Sequence, residues 1–243
     1  MYHFDALFSS HSLIYNSPKT IGWLNGSAYL LTNHFSVYSG VLLISIVGLL
    51  SFLFLCKISH YATRALLWLA IININNFLYP TLTGGDYLLN QLLFFNIFFN
   101  DNVIKNKILN DVKTAIHNTS LIAIKVQICL VYLLSALFKL QDESWINGTA
   151  LHFIFQIPEY SNALLNIIPS SICSVLTYAT LLYQLIFCVM VFTPQFKKYV
   201  LAFGLLQHLA IALFMGLFSF GCIMIISYIV FLKYDNKNQI KSP

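Results

Sequence analysis

From residue 37 the chain reads as long apolar blocks separated by short polar breaks, with no alternation of period two. The block "VYSGVLLISIVGLLSFLFLC" (37–56) predicts a first membrane-length helix. A second is predicted over about 62–78, where Pro80 and "TGGD" end it, and a third, rich in phenylalanine, from about 87 to 99. The polar stretch "NDNVIKNKILNDVKTAIHNTS" is expected to separate these from a fourth over about 120–140. Further blocks at about 172–192, 199–216 and 218–232 complete about seven. An α-helix rises about 1.5 Å per residue, so about 20 apolar residues cross a bilayer core. The segment near 150–170 is apolar but interrupted by Pro158 and Pro169, and reads as interfacial or re-entrant.

Composition agrees with the pattern. Of 243 residues, 58% are hydrophobic and only 9% charged, against roughly 25% charged in soluble domains. The expected fold is an all-α integral membrane protein, a polytopic helical bundle. Barrel strands would show segments of about 10 residues alternating in polarity. Residues 1–35 read as an extracytoplasmic or interfacial segment, 36–232 as the transmembrane domain, and 233–243 as a basic cytoplasmic tail. The net charge of +5 gathers at loop ends, where lysines alternate with acidic loops. That arrangement sets orientation, with the C-terminus in the cytoplasm of a multi-pass cell-membrane protein, and offers nothing to nucleic acid. The N-terminus then falls outside, so a preceding helix is expected. The five cysteines show no CxxC spacing, which points to neither a disulfide framework nor a zinc site.

Ionisable groups within a span cost roughly 2.5–3.5 kcal/mol at its centre and therefore need explanation. Lys125, Tyr132 and Lys139 recur at every seventh residue. They share one helix face, with a drift of about 20° per step. Gln127 lies off that stripe. The lysines read as snorkelling anchors, with Tyr132 as packing, or Lys139 reads as a desolvated amine able to act as a base. Asp142 and Glu143 could neutralise Lys139 if the helix continues. Trp145 fits an interfacial aromatic belt or a stacking role, and Gly148 a turn or close contact. Of Asn73, Asn75 and Asn76, the first and last share a face and read as interhelical bonding partners of Asn90 or Gln91, the alternative being a polar cavity lined by amides. Gly84 and Gly85 suggest a turn with positive φ, and Asp86 a helix cap or a pocket member. His208, mid-span, is an interhelical partner or a proton-relay or ligand contact. No metal-ligand spacing is present.

Three segments together resemble the HTTM (horizontally transferred transmembrane) family, to which the vitamin K-dependent gamma-carboxylase type is related. They are the asparagine-containing helix leading into "TGGDYLLNQLLFF", the block "KVQICLVYLLSALFKLQDESWINGTAL", and "QHLAIALFMGLFSFGCIMIISYIVFL". In the second, Gln127, Tyr132, Lys139, Trp145 and Gly148 match a family-like pattern. By resemblance Lys139 is the base that would deprotonate a hydroquinone, so the implied cofactor is a quinone or hydroquinone. The implied pocket holds Asn76, Gly84, Gly85, Asp86, Gln127, Tyr132, Trp145 and His208. The carboxylase's large extracytoplasmic domain is not expected here, and Gln184 stands where a carboxylate is expected in many relatives. The chain is more similar to short bacterial members that help mature or export a sporulation-delaying peptide toxin. Membrane lipids, a peptide substrate and other maturation proteins are then the implied partners. A carboxylase-like or quinone-dependent enzyme, and a structural or immunity protein without catalysis, are the alternatives.

Overall fold

The computed structural model describes residues 37–56, 60–77, 82–99 and 106–232, all helix, turn or irregular chain with no strand among them. The expectations for 1–35 and for the tail 233–243 lie outside the described residues. The chain forms two compact units, Met1–Ser120 and Leu121–Pro243.

In the N-terminal unit, α1 (Val37–Leu55) packs against α2 (Tyr61–Phe77), and α2 against α3 (Gly84–Asn96). Helix α1 is apolar on all sides and leaves Leu42, Leu49, Phe52 and Leu55 exposed, as a helix bathed in lipid would. Helices α2 and α3 form an antiparallel hairpin. Arg64, near the start of α2, donates from one guanidinium nitrogen to the carbonyls of Asn96 (3.2 Å) and Phe99 (2.5 Å) at the far end of α3. Trp68, one turn on, meets the Phe94 ring at 5.2 Å between centroids. Gly84 and Gly85 are not a positive-φ turn; they open α3 in helical geometry. Asp86 caps that helix by accepting from the Thr83 backbone N–H and hydroxyl, each at 2.8 Å.

Helix α4 (Lys107–Lys139) is longer than the pattern suggested. Its first residues come from the polar stretch expected to be a loop. At 33 residues it extends about 50 Å, beyond a bilayer core of about 30 Å. A helix continuing into water needs no apolar side chains there, so hydropathy does not reveal its start.

In the C-terminal unit α4 gives way to the short helices α5 (Glu143–Ile146), α6 (Ala150–Ile154) and α7 (Ala163–Asn166), with one 3₁₀ turn at Pro158–Tyr160. The long helices α8 (Ser170–Met190) and α9 (Pro194–Phe214) follow, then α10 (Phe218–Ser227) and α11 (Ile229–Leu232), separated at Tyr228. Phe155, Leu165 and Cys173 form a small core joining the short helices to α8. Thr177, fully buried on α8, accepts from the Leu151 N–H at 3.2 Å and donates to the Cys173 carbonyl at 2.8 Å. The hydroxyl of that threonine is thus met both as donor and as acceptor inside the protein.

About seven crossings were expected. Among the described residues three helices, α4, α8 and α9, are long and apolar enough to cross a membrane. Helix α2 has 17 residues and α3 only 13. The last apolar stretch, Phe218–Leu232, is likewise shorter.

Candidate functional site

Helix α4 builds the site from one face. Ile124, Ile128, Tyr132 and Ala136 repeat every fourth residue, and each is buried. Tyr132, 2% exposed, is therefore held among apolar neighbours, its ring 4.1 Å from that of Phe187 between centroids. Its hydroxyl is not left unpaired. It bonds His208 Nε2 of α9 at 2.7 Å and the Tyr228 hydroxyl, which in turn bonds the Tyr183 hydroxyl of α8 at 3.0 Å.

Four helices or helix ends thus bring three phenols and an imidazole into one buried hydrogen-bonded chain. Gly204 makes room for it: a Cβ there would run into the hydroxyls of Tyr183 and Tyr228. Tyr228 falls where α10 stops, so the helix break and the chain coincide. His208 Nδ1 has no partner among the described residues, although the residue is only 3% exposed. Three bonds join the four side chains, which together carry four exchangeable protons when neutral. One proton is left over for an end of the chain. Either Nδ1 carries it, with each hydroxyl donating toward the histidine, or the bonds all reverse and Nδ1 is a bare acceptor. A chain with two such states can pass a proton by reversing its polarity.

The second group lies at the end of α4. Lys139 is half-buried, donates to Ser135 Oγ at 2.7 Å, and its Nζ sits 4.8 Å from the Trp145 ring centroid. Asp142 and Glu143 do not neutralise it, because α4 ends at Lys139 and the chain turns. Asp142 instead caps α5, accepting from the Ser144 hydroxyl at 2.6 Å and the Ser144 N–H at 2.8 Å. Those two bonds, the hydroxyl's first, hold its carboxyl below the ordinary aspartate range. Gly148, at φ 72°, ends this turn where the Tyr178 ring would meet any Cβ. Tyr178 also donates to the Ile146 carbonyl at 2.9 Å, which fixes the Trp145 loop to α8.

Of the residues singled out from sequence, the fold joins Tyr132 to His208 and Lys139 to Trp145. Gln127 is half-buried on α4. Gly84, Gly85 and Asp86 belong to the N-terminal unit, as does Asn76, whose side chain lies outside the described residues. Tyr183 and Tyr228 were missed. Each reads in sequence as one more aromatic in an apolar helix, and only the small Gly204 hinted that something bulky approaches α9.

Among curated proteins the chain is similar to sporulation-delaying protein SdpB of Bacillus subtilis strain 168, at 30% identity over 122 residues, 47% of this chain and 38% of that protein. It is also similar to the uncharacterized protein YitO of the same strain, at 29% over 112 residues, 43% of this chain and 36% of that protein. The matches thus span well under half the length of either relative. No family model matches the chain, and no solved structure does. The similarity supports an SdpB-like family, and with the apolar helices it fits a membrane protein.

Proposed function

We propose that this chain is an SdpB-like bacterial membrane protein that acts in the maturation or export of a peptide toxin. The observation carrying this is the 30% identity to sporulation-delaying protein SdpB. The architecture is compatible with the role. A buried phenol–imidazole chain and a half-buried amine give an apolar bundle the polar chemistry that handling a polypeptide inside a membrane requires. The test is genetic and biochemical. In a cell making a cognate toxin precursor, deleting this protein should leave the precursor uncleaved or unexported, and restoring it should restore mature peptide in the medium. Mature peptide made equally well without the protein would reject the reading. Protection against added mature peptide without processing would point to immunity instead.

One observation favours a second reading, a quinone-dependent or carboxylase-like enzyme with Lys139 as base. Among the described residues the Lys139 amine meets a hydroxyl and an indole but no carboxylate, so no ion pair among them holds it charged. The indole offers a face, and the amine a donor, to a quinone or hydroquinone ring. Such a cofactor would supply the redox chemistry, while Lys139 would bind it and take a proton. Wild-type protein purified with native lipids should then retain a quinone that a folded Lys139→Met variant loses. Equal content in both would reject this role for the lysine.

A further inference from the structure

No spacing along the chain pairs any of the five cysteines, yet the C-terminal unit brings two of them together across a helix–helix contact. Cys129 of α4 and Cys188 of α8, 59 positions apart, both carry free, half-buried thiols. Cys188 Sγ donates to the Cys129 carbonyl oxygen at 3.1 Å, and the two thiols lie within hydrogen-bonding reach of each other. Cys173, by contrast, donates to the Ile168 carbonyl just ahead of its own helix, at 3.8 Å.

The pair sits toward one end of α8. Cys188 is two residues from Met190, the last residue of that helix, a rise of about 3 Å. Lys197 and Lys198 follow near the start of α9, and such side chains keep their amines in water. A small aqueous reagent therefore reaches Cys188 with little hydrocarbon to cross. Cys129 is interior to its helix, since α4 continues past it in both directions. Tyr132 follows Cys129 by one turn, Phe187 precedes Cys188, and those two rings are 4.1 Å apart between centroids. A covalent link between the sulfurs would fasten α4 to α8 beside the phenol–imidazole chain.

We propose that Cys129 and Cys188 form a redox-sensitive pair, closed to a disulfide by a low-molecular-weight disulfide from the aqueous phase and reopened by the corresponding thiol. Cys188, as thiolate, attacks one sulfur of the reagent and forms a mixed disulfide. The other half of the reagent leaves as a thiolate and takes up the proton that Cys188 lost. Cys129 then gives up its proton and attacks the Cys188 sulfur, expelling the second half as a thiol. Two electrons have passed from the pair to the reagent, which ends as two thiols. The closed bond joins positions 59 apart and restricts the unfolded chain, so the oxidised protein resists unfolding more than the reduced one. Neither functional reading above uses these residues, and the pair stands apart from both.

The test uses the full chain in lipid nanodiscs, equilibrated in glutathione buffers from fully reduced to fully oxidised. The fate of each cysteine is read by peptide mass mapping after blocking with N-ethylmaleimide in denaturant. In oxidising buffer Cys129 and Cys188 should be recovered as one linked peptide pair, and in reducing buffer as two blocked peptides. Cys129→Ser should stop at a glutathione adduct on Cys188, whereas Cys188→Ser should leave Cys129 free. Oxidation should raise the unfolding temperature of the wild type but not that of the double variant Cys129→Ser, Cys188→Ser. Two free thiols at every buffer ratio, a bond to any other cysteine or to a second chain, or a wild-type adduct that never closes overturns the proposal, and the two sulfurs are then packing alone. Equal modification of the two single variants overturns it as well, because no entry thiol is then distinguished from a resolving one.

Discussion

Two sets of polar side chains, one in each unit, are paired in different ways, although Gln184 and Gln207 of the C-terminal unit also keep an enclosed side-chain oxygen without a partner among the described residues. In the C-terminal unit Tyr132, Tyr228, Tyr183 and His208 satisfy one another, and only Nδ1 of the histidine is left open within that chain. In the N-terminal unit Asn75 is buried and Asn73, Asn90, Gln91 and Asn96 are half-buried, and each keeps one enclosed side-chain atom without a partner among the described residues. Both arrangements put polar atoms where hydrocarbon would be cheaper. A closed network returns that cost as packing specificity, since its members bond only if four helices or helix ends arrive in register. An open set returns no such specificity. Removing a member of the closed network should therefore destabilise the protein, whereas removing a member of the open set should not.

The largest effect should come from filling the space beside the closed network. Gly204→Val places side-chain atoms on the Tyr183 and Tyr228 hydroxyls and should cost roughly 3 kcal/mol, read as a lowered unfolding temperature in nanodiscs. A neutral outcome would show that the hydroxyls do not approach α9.

Next comes Tyr132→Phe, which removes the hydroxyl shared by His208 and Tyr228 and should cost about 2 kcal/mol. Adding Tyr228→Phe should cost less than the sum of the two single changes, because both break one bond. Full additivity would argue against a connected chain.

Asn90→Leu is the contrasting case. It removes an unmet buried oxygen and should leave stability unchanged or raise it by about 1 kcal/mol. A loss comparable to that of Tyr132→Phe would erase the distinction between the two sets.

Lys139→Met should shift stability by less than about 1 kcal/mol, because its partners are one hydroxyl and one aromatic face at a half-buried helix end. The smallest effect concerns Asp142. Its carboxyl is held low by Ser144, so its contribution to the α5 cap is present above the unfolded-state pKa and fades as pH falls through the folded-state value. An NMR titration should find its midpoint below that of an ordinary aspartate, and Ser144→Ala should raise it. An unchanged midpoint would show that Ser144 does not set it.

Most of the helices were legible because a membrane-length apolar run has few alternatives. Helix α1, predicted over 37–56, spans Val37–Leu55, and the block predicted over 172–192 is α8 at Ser170–Met190. The pattern failed where polarity and helicity part company. The start of α4 is a polar helix that hydropathy reads as a loop, and the last block breaks at Tyr228, where no proline or glycine marks the stop. The site was half legible. Tyr132 and His208 stood out as polar groups in apolar helices, but Tyr183 and Tyr228 did not, since tyrosine is an unremarkable core residue until its hydroxyl has somewhere to point.

What the sequence determined by itself was the solvent. With so few charges and such long apolar runs, these helices must face lipid, and each buried polar group must find a partner or remain open at a cost. Only the tertiary structure decided which of the two happened. Whether Lys139 meets a carboxylate depends on the turn that ends α4. Whether Tyr132 bonds a histidine 76 positions away depends on how close Gly204 lets α9 approach. Whether the asparagines bond one another depends on how α2 and α3 are turned about their own axes. Hydrogen bonds act over about 3 Å, so their partners are chosen by packing, which composition and periodicity do not encode.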